Sequence, residues 1–67
     1  MIFAVIVTYN PIQDNLTSLI NALKNNQVTP VIVDNGSAEP VTAECEIIKL
    51  EFNLGIAKAQ HVGIEYA

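Results

Sequence analysis

The sequence predicts an α/β chain: a three-stranded parallel sheet in the order 3-2-1, with helices, reading β-α-β-β-α. Three observations carry this. Ile2–Val7 is an unbroken apolar, largely β-branched run, as in a strand covered on both faces. Apolar residues at helical spacing separate it from a second such run, Val31–Val33, which implies a right-handed crossover between parallel strands. Polar segments follow each strand, at the ends where ligands of open α/β sheets bind.

The first strand is Ile2–Val7, stopped by Asn10-Pro11; the proline pushes Asn10 toward extended geometry and suits a first helical position. Ile12, Leu16, Leu19, Ile20 and Leu23 then form one apolar helix face. Asn10 could cap this helix, with Gln13 three residues on, or Asp14 could cap a later start. Lys24 suits the dipole at its end, and Asn25-Asn26 can close the last turn. The second strand is Val31–Val33, with Pro30 tolerable only at its start. The stretch from Asp34 to Glu46 reads as a loop, with room for a short strand or helical turn. Asn35-Gly36 is a hairpin signal, but Ala38–Ala43 is a poor partner strand, which favours an open loop. A third strand, Ile47–Phe52, is followed by a turn at Asn53-Leu54-Gly55 and a helix over Ile56–Tyr66, kept slim by Ala57, Ala59 and Gly63.

Ile2–Val7 reads as the middle of a sheet, yet strands 2 and 3 cover only one of its edges. The chain ends at Ala67, where a further strand is expected. Residues 1–67 are therefore expected to be one unit, the front part of a larger α/β domain. In isolation, the open edge of strand 1 invites self-association.

Composition narrows the function. The 67 residues carry a net charge of −4, with three lysines and no arginine, which argues against nucleic acid as a partner. One cysteine, Cys45, allows no internal disulfide and fits a reducing compartment; nothing basic is arranged around it in sequence. No Cys/His cluster has zinc spacing, and no carboxylate pair suggests a metal or acid–base role. The apolar start lacks a basic leader and reads as a strand, not a signal peptide. No run is long enough to span a bilayer.

The parallel strands bring Thr8-Tyr9-Asn10, Asp34-Asn35-Gly36-Ser37 and Asn53-Leu54-Gly55 to one rim. Asp34 could accept a hydrogen bond from a ligand ring N–H, or close its own loop as an Asx-turn. Thr8 and Tyr9 could offer backbone groups and a ring face to a planar base, or pack at a strand end. Gly55 allows close backbone approach at a helix N-terminus, where phosphate is favoured, or serves a tight turn. There is no GxGxxG and no Walker A pattern. Lys58, in the first turn of that helix, could reach a phosphate or stay solvated; Gln60 and His61 fall on a polar helix face, and His61 has no nucleophile or second ligand beside it in sequence.

Taken together, "VIVTYNP", "VIVDNGS" and "NLGIAKAQHVGI" resemble the opening of the family 2 glycosyltransferases, and "NLGIAKAQ" after "VDNGS" looks most like the bacterial rhamnosyltransferase branch. The resemblance covers nearly the whole chain. It implies a partial Rossmann-like GT-A nucleotide-binding fold and an inverting enzyme of cell-surface polysaccharide synthesis. It also implies a dTDP-L-rhamnose-like donor and a glycan or lipid-linked acceptor. The full-length family enzyme would be cytoplasmic, at the inner face of the plasma membrane. By the resemblance, Thr8, Tyr9 and Asn10 line the nucleoside pocket, and Asp34 accepts a bond from the pyrimidine N–H. Asn53 and Gly55 belong to a loop that closes over the nucleotide, and Gln60 matches a glutamine of the branch. His61 departs from its usual asparagine. The Mg²⁺- or Mn²⁺-binding carboxylates and the catalytic base of such enzymes lie beyond Ala67. The chain thus holds no catalytic or metal residues of the family and is expected to be inactive alone. A UDP-sugar donor, or a non-catalytic α/β interaction domain, are the competing readings.

Overall fold

A computed structural model describes residues 2–66; Met1 and Ala67 lie outside them. Five elements follow in order: β1 (Ile2–Thr8), α1 (Gln13–Asn25), β2 (Val28–Asn35), β3 (Glu46–Leu50) and α2 (Ile56–Tyr66). The strands form one sheet in the order β1-β2-β3, and both pairs are parallel. This is the expected mixed α/β arrangement, consistent with part of a Rossmann-like fold.

Strand alternation sorts the layers. Ile6, Ile32 and Ile47 stand in register across the sheet and pack with Leu16 and Ile20 of α1. The residues between them face the other way. There Gly63 of α2 meets Val5 and Val33 so closely that an added Cβ would come 2.3 Å from Val5 Cγ1 and 3.0 Å from Val33 Cγ2. The helices therefore cover opposite faces of the sheet.

The strand covered on both faces is β2, buried without interruption from Pro30 to Asn35, and not β1, which is half-buried over Ala4–Val7. β1 pairs with β2 alone among the described residues, and Ile2 and Phe3 at its start are exposed. β2 is longer than Val31–Val33, and Pro30 lies inside it opposite Ala4. The proline is tolerated because β3 begins only opposite Val31, so at Pro30 the strand has a neighbour on one side. β3 stops at Leu50 and not at Phe52. Glu51 and Phe52 bend toward α2, leaving Phe52 70% exposed.

Asn10 does not cap α1, and neither does Asp14. The N-cap is Ile12, with extended backbone and no side-chain cap bond. At the other end the expectation holds: Asn26 donates from its side chain to the Ala22 carbonyl at 2.8 Å, and its N–H reaches Ala22 and Leu23. The Gly36–Cys45 stretch forms no regular element. It is tied to α1 by Gln13, which donates to the Thr42 carbonyl and accepts from the Thr42 N–H, and by Lys24, which donates to the Glu44 carbonyl. Val41, Ala43 and Cys45 extend the core beneath it.

Replacing Gly63 tests this layering. Gly63→Ala gains about 1 kcal/mol of helix propensity but forces a methyl against two stiff valines. The variant should be less stable by roughly 1–2 kcal/mol in urea unfolding. A gain in stability would show that α2 does not rest on the sheet at this point.

Candidate functional site

β2 ends on Asp34 and Asn35, two consecutive polar residues buried to 1% and 2% exposure. Alternation sends their side chains to opposite faces, and each organises a different part of the rim.

Asp34 Oδ1 accepts from Thr8 Oγ1 at 2.9 Å and from Ser37 Oγ at 2.5 Å, and Asp34 Oδ2 accepts from the Ser37 N–H at 3.2 Å. Asn10 closes the cluster. Its N–H donates to Ser37 Oγ at 2.7 Å, and its Oδ1 accepts from the Ala38 N–H at 2.9 Å. Asn10 adopts a left-handed φ of 47° to do this, a region asparagine enters more readily than most residues. The bonds used here explain why it is unavailable as a helix cap. Three donors, rather than an opposite charge, offset the burial of the Asp34 carboxylate.

Asn35 works on the other side. Its Nδ2 donates to Asn53 Oδ1 at 3.0 Å, and its Oδ1 accepts from the Leu54 N–H at 2.8 Å. Asn53 Oδ1 also accepts from the Gly55 N–H at 2.9 Å. Gly36, at φ 85°, lets this segment lie against the turn: an added Cβ would stand 2.7 Å from both Asn53 N and Phe52 C. Gly55 also has positive φ, but space around it is open, so there the requirement is backbone conformation alone.

Between these groups an open cleft of about 450 Å³ lies at the carboxyl ends of β1 and β2. Thr8 and Tyr9 come from β1, Asn53 and Gly55 from the segment before α2, and Gln60 from α2; Val7 and Ile56 add apolar surface. Five of the seven residues singled out in the sequence thus meet here. Asp34 and Asn10 do not line the cleft, and Asp34 is linked to it through the Thr8 hydroxyl. Asn35 does line it and was not singled out. The signal for it was strand alternation, since the neighbour of an inward Asp34 must face the other layer.

No lining residue is charged. The cleft therefore suits a neutral planar group better than an ion, with the α2 N-terminus at its margin. A larger cleft, about 510 Å³, lies between α1 and Thr42–Glu44, and a third, about 330 Å³, adjoins Asn10 and Pro40. The strand-end cleft is the better site because it alone joins both strand ends to a helix start.

The remaining reactive groups give little chemistry. His61 Nε2 lies 3.4 Å from Glu65 Oε1, one turn away on an exposed helix face, a pair of small energetic value. Cys45 has Lys24 nearby, which sequence spacing did not reveal. Burial pushes the thiol above its ordinary pKa, Lys24 opposes this, and Glu46 adds to it. Among the described residues no three His, Cys, Asp or Glu side chains group closely enough to hold a metal ion.

Removing Asp34 should have a structural cost. Asp34→Ala leaves the Thr8 hydroxyl and the Ser37 N–H buried without their acceptor, which costs about 2–4 kcal/mol. Urea unfolding measures this, and a loss below about 0.5 kcal/mol would show that the cluster does not support the fold.

No family model matches the chain, and no solved structure matches it. It is 46% identical over 72 aligned residues to the dTDP-rhamnosyl transferase RfbF of Shigella flexneri, an alignment covering 98% of this chain and 24% of that protein. The chain spans about a quarter of the length of the relative it matches. Nearly the whole chain is thus similar to a stretch of a bacterial rhamnosyltransferase, which bears out the resemblance carried by its three motifs.

Proposed function

We propose that the chain recognises the nucleoside diphosphate of a dTDP-L-rhamnose-like donor, as the N-terminal part of an inverting family 2 glycosyltransferase with a GT-A fold. The product would be cell-surface polysaccharide, made from a glycan or lipid-linked acceptor at the cytoplasmic face of the plasma membrane. The observation that carries this reading is the 46% identity to a dTDP-rhamnosyl transferase across 98% of the chain. No helix among the described residues is long and apolar enough to cross a membrane, so any membrane contact would be peripheral or made by other segments.

The strand-end cleft supports the reading chemically. The Tyr9 ring is 55% exposed and offers a face on which a pyrimidine can stack. Gln60 and Asn53 supply neutral amide groups. The first amides of α2 have no partners within the helix, and together with its dipole they favour a diphosphate beyond Gly55. Asp34 fixes Thr8 and the Ser37 turn behind this surface. Asp34 is itself buried and outside the cleft lining, so its part in nucleoside recognition runs through the Thr8 hydroxyl that it orients.

Sugar transfer itself requires stabilisation of the leaving diphosphate and a base for the acceptor hydroxyl. The described residues do not fit a metal ion, so no step through Mg²⁺ or Mn²⁺ is assigned to them. The chain alone binds donor and does not transfer sugar. Its β1 edge, unpaired among the described residues and without charge or proline over Ile2–Thr8, makes it self-associate in isolation.

Titrating the ¹⁵N-labelled chain with thymidine diphosphate should shift the amides of Thr8, Gly55 and Gln60, more strongly than uridine diphosphate does. Absence of shifts at millimolar nucleotide would contradict the donor reading, and a uridine preference would move the donor to the UDP sugars. Sedimentation velocity should show mass rising with concentration; a monomer at all concentrations would refute pairing through β1.

A further inference from the structure

The segment Asn53–Gly55 forms one wall of the cleft and leads into α2, yet little apolar burial holds it. Phe52 and Leu54 are both exposed, and Gly55 faces open space. What does hold it is the side chain of Asn35, together with the close backbone contact at Gly36. We propose that Asn35 is a positioning residue for nucleotide binding: its amide fixes the Asn53–Gly55 wall, and through it the start of α2, at the distance the donor requires. This rests on the donor-binding reading given above.

An amide suits the task because it carries one acceptor and one donor group on a rigid plane. The Leu54 N–H needs the acceptor, and Asn53 Oδ1 needs the donor. Asn53 cannot turn its amide to compensate, because its Oδ1 also receives the Gly55 N–H. A carboxylate at position 35 would keep the Leu54 bond but set two acceptors against each other. Once protonated, it would donate to Asn53 again. The wall in Asn35→Asp is therefore held while the carboxyl is protonated and released once it ionises.

The test reads hydrogen-exchange protection at Leu54 and Gly55 in the ligand-free chain, and then affinity for thymidine diphosphate. In Asn35→Ala, Leu54 protection should fall about tenfold, the scale of one hydrogen bond, and affinity should fall by a similar factor. The Ser37 amide, held by Asp34, should be unchanged and shows that the turn remains folded. In Asn35→Asp, both losses should appear once the new carboxyl ionises and reverse as falling pH protonates it, with burial and the facing Asn53 Oδ1 favouring the protonated form. Unchanged Leu54 protection in both variants would overturn the proposal. So would lost protection with unchanged affinity, since the wall's position would then be irrelevant to the ligand. If the unaltered chain binds no thymidine diphosphate, the donor reading fails on its own, and with it the ligand half of the proposal. The exchange data still decide whether Asn35 holds the wall.

Discussion

Everything at the rim depends on β2 ending in two buried polar residues that point to opposite faces. Asp34 gathers Thr8, Ser37 and Asn10 on the side of α1. Asn35 gathers Asn53 and Leu54 on the side of α2. Either residue left without partners would be a costly buried polar group, so the loops on both faces are bound to fold back onto the strand end. The open surface between the two clusters is the cleft. Glycine at position 36 is the geometric condition for this arrangement, because a side chain there would collide with the backbone of the segment before α2.

The same strand supplies the mechanical support. β2 is paired on both edges over Val31–Asp34 and buried through Asn35, so its carboxyl end is firmly held. α1 rests on it through Leu16 and Ile20, and α2 rests on the opposite face through Gly63. Recognition groups placed on this end inherit its rigidity. The groups around the outside of the cleft, such as Tyr9, Asn53 and Gln60, are exposed and free to meet a ligand. The asymmetry between a fixed floor and open walls is what makes the Asn35 bonds consequential.

Much of this was legible in the sequence because periodicity is a local signal. The apolar run at the front, the helical spacing after Pro11 and the small residues in Ile56–Tyr66 specify element types and strand order. Boundaries were less legible where tertiary context decided them. Pro30 sits inside β2 only because β3 starts one residue later, and Phe52 leaves β3 because the chain must turn toward α2. The rim was legible by type and not by partner. Asn10 has the chemistry of a cap, and only the fold brings Ser37 and Ala38 to it. Asn35 was obscured by its neighbours: in "VDNGS" the acid draws attention, and Asn-Gly reads as a turn.

A crystal structure of the chain with thymidine diphosphate tests the central claim most directly. The account predicts the base against the Tyr9 ring over the ends of β1 and β2, with the diphosphate at Gly55 and the first turn of α2, and the Asn35 bonds to Asn53 and Leu54 intact. A nucleotide seated instead between α1 and Thr42–Glu44, or a strand-end cleft that stays empty under saturating ligand, would contradict it.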